Sequence, residues 1–146
     1  MIKYLCAGIL LYFIVFQQTA CSKRNFPQNY DLSFLEGKWI RVGSSKVEYD
    51  SMVLEIEGGT ARILEMPYGA GDDFQVGDLK WQNITAIGNE YFDFLMNDLS
   101  GLGTEEEAWI RVLEDASSTG GQSRIFVIHR VYEEDAGSDQ WWVKLE

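Results

Sequence analysis

From residue 34 onward the chain never holds a helical apolar period across eleven residues. Short runs of β-branched and aromatic residues recur instead. Gly, Ser, Asn and Asp punctuate them, and the whole sequence holds only two prolines. This pattern restricts the fold to the all-β class. Eight strands are expected, over residues 38–42, 52–57, 61–66, 79–87, 90–96, 108–113, 124–132 and 140–145. In the second, Met52, Leu54 and Ile56 alternate with Val53, Glu55 and Glu57. Gly58–Gly59 then supplies a two-residue hairpin turn, and Gly88–Asn89 supplies another. The SSTGGQS stretch reads as a flexible loop. A short helical turn over 31–35 is expected to precede the first strand. Strands joined in sequence by turns form an antiparallel meander, and closing it into an eight-stranded up-and-down barrel removes the exposed edges. A β-sandwich is the alternative.

Ahead of this domain lies a different kind of sequence. Lys3 precedes an apolar run of 13 residues, Tyr4 to Phe16. That run is short for a bilayer span and suited to a signal-peptide core. Gln17–Gln18–Thr19–Ala20–Cys21 follows. The Thr19–Ala20–Cys21 end resembles the lipobox of bacterial lipoproteins. Gln18 stands where the usual leucine would be, as in the relaxed lipoboxes of the Bacteroidetes. The resemblance implies that residues 1–20 are removed and that Cys21 carries the lipid. Ordinary cleavage after Ala20, leaving Cys21 as a free thiol, is the alternative. Residues 21–33 then form a polar tether, with Lys23 and Arg24 beside the headgroups. Acid-rich stretches at this place resemble surface-export signals, and here the residues are basic. The expected location is therefore the outer membrane, facing the periplasm.

Residues 34–146 form the folded domain. Gly37 and Trp39 resemble the Gly-x-Trp opening of the lipocalins and lipocalin-like domains. In that family the tryptophan plugs one end of the barrel and an arginine stacks on it. The resemblance implies a barrel-closing pair of Trp39 and Arg130. Residues 77–84 and the closing strand are also similar to segments of lipocalin-like Bacteroidetes lipoproteins.

The formal net charge is −11, with 12 basic and 23 acidic side chains. Such a surface repels phosphate backbones, which argues against nucleic acid as a partner. The two cysteines are Cys6, in the leader, and Cys21. The mature domain thus has no internal disulfide and no cysteine cluster for zinc. His129 is the single histidine and reads as a structural residue of the seventh strand. No nucleophile–base pair is evident, so no enzyme is expected. No metal or cofactor is expected either, because the acidic clusters lack calcium-loop spacing. Asn83–Ile84–Thr85 is a glycosylation sequon on paper, and Asp50–Ser51–Met52 resembles the short O-glycosylation motif of exported Bacteroidetes proteins.

The remaining candidate is a pocket inside the barrel. Trp81, Asn83 and Thr85 are expected to share one face of the fourth strand. Phe92, Phe94 and Met96 are expected to share one side of the fifth. Such walls would hold a small apolar or amphipathic ligand. The alternative function is a protein-interaction module in the envelope, an inhibitor or assembly accessory, which would show an exposed apolar patch involving Tyr68, Phe74 or Trp142.

Overall fold

The structure is a computed structural model. It describes residues 29–44, 46–101, 103–129 and 139–145. Cys21, Arg130 and the leader lie outside the described residues, as does the end of the expected seventh strand.

The chain forms a closed barrel of eight strands in sequence order. They are β1 (Gly37–Ser44), β2 (Val53–Glu57), β3 (Thr60–Glu65), β4 (Leu79–Ala86), β5 (Phe94–Leu99), β6 (Glu105–Glu114), β7 (Arg124–His129) and β8 (Gln140–Lys144). Every neighbouring pair is antiparallel. Closure comes from β1 pairing with β8, with Trp39 opposite Lys144 and Ser44 opposite Gln140. This excludes the sandwich and, among the described residues, leaves no edge strand unpaired.

The pleat turns alternate residues inward. Leu54 and Ile56, Ala61 and Ile63, Phe94 and Met96, Ala108, Ile110 and Val112, and Ile125 and Val127 fill the interior. Gly58 and Gly59 both have positive φ, +56° and +80°. They make the tight β2–β3 turn that a two-glycine pair favours.

One end of the barrel is closed by helix α1 (Leu32–Leu35), the turn expected there. Asp31 starts it, accepting a hydrogen bond from the Ser33 amide at 3.0 Å. Packing reaches back to Tyr30, whose ring lies 4.6 Å from that of Phe34. Trp39 is fully buried, and its Nε1 donates to the Leu35 carbonyl at 2.6 Å. Among the described residues, Lys144 places its Nζ over the ring, 5.6 Å from the centroid. Lys144 also donates to the Phe34 carbonyl at 2.7 Å, and so ties β8 to α1.

Two connections differ from expectation. The Gly88–Asn89 turn is longer, and β5 starts at Phe94 rather than at residue 90. The cause is Asn89, whose side-chain oxygen accepts from the amides of Tyr91 and Phe92 at 2.8 and 2.7 Å. It winds that segment into its own turn before the ladder starts. The SSTGGQS stretch is partly helical. Helix α2 (Ala116–Thr119) is capped by Asp115, which accepts from the Ser117 amide at 2.9 Å. Gly120, at φ +70°, ends it.

Candidate functional site: a buried polar cluster at the loop end

The end of the barrel opposite α1 is where β1, β3, β5 and β7 finish. There the inward register meets charged residues instead of aliphatic ones. Arg41 (β1), Lys80 (β4), Asp98 (β5), His129 (β7) and Gln140 (β8) are all buried. Asp98 continues the inward row of Phe94 and Met96. Lys80 points inward because of a bulge. Trp81 lies opposite Ala61 and Leu79 opposite Arg62, so Lys80 is the extra residue of β4. A bulge breaks the strict alternation, and Lys80 and Trp81 are consecutive yet both buried.

Asp98 is the hub. Its Oδ1 accepts from Lys80 Nζ, which also donates to the Leu99 carbonyl at 2.7 Å. Its Oδ2 accepts from Gln140 Nε2 at 3.1 Å and lies 2.8 Å from His129 Nε2. Burial pushes the Asp98 carboxyl up. The charge of Lys80 and the hydrogen bonds from His129 and Lys80 outweigh it, and hold the carboxyl below the usual carboxylate range. Asp98 is therefore ionised. An ionised carboxylate only accepts, so His129 carries its proton on Nε2. The same logic fixes Gln140. Its amide nitrogen faces the carboxylate and its oxygen accepts from Trp142 Nε1 at 3.0 Å.

Among the described residues, His129 Nδ1 and Trp81 Nε1 are buried without a hydrogen-bond partner. Both side chains are more than nine-tenths buried. Trp81 stands directly opposite Asp98 across the β4–β5 ladder. Its ring meets that of Trp142 edge to face, 5.1 Å between centroids. These two indoles form an aromatic floor beside the polar tier.

The loops between β1 and β2 and between β3 and β4 roof the cluster. Tyr49, in a 3₁₀ turn at Val47–Tyr49, donates to Asp73 Oδ2 at 2.9 Å and packs edge-on against Phe74. Burial and the Asp73 carboxylate push the Tyr49 hydroxyl up to about 12. The Phe74 ring lies 4.8 Å from Lys80 Nζ. Arg41 runs under Tyr49, 5.8 Å from its ring centre, and pairs with Asp50 at 3.8 Å. Burial lowers the Arg41 guanidinium, and nearby Asp98 and Asp50 counter it. Gly101 lies so close to Asp73 that an added Cβ would come 2.3 Å from the Asp73 carbonyl oxygen. The β5–β6 loop thus packs on the roof backbone to backbone.

The expected pocket wall is only partly assembled. Trp81 and Phe94 point inward. Asn83 and Thr85 do not share a face with Trp81, because a second bulge lies between Gln82 and Thr85. Asn83 sits there at φ +55°, a conformation asparagine tolerates better than most residues. Ile84 takes the inward place, and Asn83 and Thr85 are exposed. Phe92 precedes β5 and stacks outside the barrel on Trp109, at 5.4 Å. Trp142 is part of the core rather than of a surface patch, and its neighbour Trp141 is 42% exposed. Trp141 borders a groove of about 440 Å³ on the outer wall, with Val42, Leu113 and Leu145. Tyr68 is fully exposed and Phe74 is part of the roof. Ser51 is exposed at φ +76°.

Among the described residues no group of three His, Cys, Asp or Glu side chains is placed to hold a metal ion. Comparison with protein-family models, with curated protein sequences and with solved structures gave no match.

Proposed function

We propose that the protein is an envelope lipoprotein, anchored through Cys21, whose barrel binds a small amphipathic ligand under the loops opposite α1. The observation that carries the binding half is the two-tier interior. An aromatic floor of Trp81 and Trp142 lies beside a polar tier that, among the described residues, leaves His129 Nδ1 and Trp81 Nε1 without partners. Buried polar groups in folded proteins nearly always find a partner. Apolar walls with a few convergent polar groups are also what small-molecule sites are made of. The anchor half rests on the apolar leader and on the Thr19–Ala20–Cys21 sequence.

Each half has its own test. Titration with an envelope lipid extract should change the fluorescence of the buried floor tryptophans, and Trp81→Phe should remove most of that change. An unaltered signal at saturating extract would contradict ligand binding. Cys21→Ala should move the protein from the membrane fraction to the soluble one. Retention in the membrane would contradict the anchor.

One observation favours a second reading, a surface that binds another envelope protein. The outer groove beside Trp141 is apolar and exposed, as docking patches are. Loss of partner capture in Trp141→Ser, with ligand binding intact, would support it over the first.

A further inference from the structure

The chemistry of the two open nitrogens narrows the class of ligand, on the reading that the barrel binds one. Trp81 Nε1 carries a hydrogen and can only donate. His129 Nδ1 is the opposite. Asp98 holds the ring proton on Nε2, so in the neutral ring Nδ1 presents a lone pair and accepts. A ligand satisfying both must therefore offer an acceptor and a donor. A carboxylate or a fully ionised phosphate group has only acceptors and would meet the Nδ1 lone pair with its own. An ammonium has only donors and would leave Trp81 unpaired. The surrounding charge points the same way. Lys80 is paired with Asp98, and Arg41 with Asp50, so the tier is not an excess of one sign.

We propose that the polar tier recognises a neutral head group that both donates and accepts, a hydroxyl or a primary amide, on an apolar body, with His129 Nδ1 and Trp81 Nε1 as its two contacts. A site made of buried partners discriminates strongly against analogues that leave one of them unpaired.

The single histidine makes the test direct, since ¹⁵N-histidine labelling yields one pair of ring nitrogens. The full chain in phospholipid nanodiscs is titrated with hexan-1-ol, hexanoate and hexylammonium, three probes that share one apolar body. Before addition, the ring should show the Nε2–H tautomer. Hexan-1-ol should bind and move the Nδ1 resonance toward that of a hydrogen-bonded acceptor. Hexanoate and hexylammonium should bind at least tenfold more weakly. His129→Gln keeps an amide donor toward Asp98 while removing Nδ1, and should weaken hexan-1-ol about five- to tenfold. Hexanoate binding as tightly as hexan-1-ol, or hexan-1-ol binding with Nδ1 unmoved, would overturn this assignment and leave the ligand-binding reading standing. Failure of all three probes to bind would overturn both.

Discussion

An ionised carboxylate inside a barrel survives only when its lone pairs are filled, and Asp98 accepts from Lys80, Gln140 and His129. The arrangement is costly to break from one side. Asp98→Ala leaves the Lys80 ammonium buried and unpaired, and should destabilise the fold by about 3–5 kcal/mol in urea unfolding. Adding Lys80→Met should recover much of that loss, since the stranded charge goes with it. The network also sets a pH window. The folded carboxyl of Asp98 is depressed, so its contribution is complete above the unfolded value of 3.8 and fades as pH falls below it. Tyr49 sets the opposite limit. Its hydroxyl is raised from 10.0 to about 12. The unfolded chain therefore ionises first, and stability falls as pH climbs from about 10 toward 12. Urea midpoints should fall at both limits. Tyr49→Phe should remove the alkaline loss and leave the acid one.

At the scale of elements, β4 decides what faces inward. Its first bulge sends Lys80 into the polar tier, and its second turns Asn83 outward at φ +55°. Asn83→Val should cost about 1–2 kcal/mol in thermal unfolding, because a β-branched residue resists the left-handed conformation. Asn83→Gly should cost less than half of that. These bulges also explain how far the sequence could be read. Strand number, the Gly58–Gly59 hairpin, the turn before β1 and the inward places of Trp81 and Phe94 follow from period-two patterning and turn chemistry, while the buried place of Trp39 comes from the Gly-x-Trp resemblance. A bulge leaves no mark in that pattern, since Lys80 and Asn83 read as ordinary alternating positions. Asp98 lies two residues past the expected end of β5. The capping by Asn89 shifted that strand toward the C-terminus, which took Phe92 out of the row and brought Asp98 into it. His129 was visible as a lone strand histidine. Its carboxylate partner, 31 residues earlier, belongs to a cross-strand neighbourhood that spacing alone cannot reveal.

As a whole, the molecule divides its interior by end. The α1 end is sealed by Trp39, Leu35 and the Lys144 tie to Phe34. The loop end carries ionic and amide groups under Tyr49 and Phe74. A barrel needing only stability gains little from buried charge, because apolar replacements are often as stable. The asymmetry accords with the ligand site proposed at the loop end. Native mass spectrometry of the gently purified protein, followed by denaturing extraction, tests this most directly. The account predicts a stoichiometric adduct whose extracted molecule joins an apolar body to a neutral polar head. A clean apo mass, unchanged after incubation with envelope lipid and metabolite extracts, would contradict it.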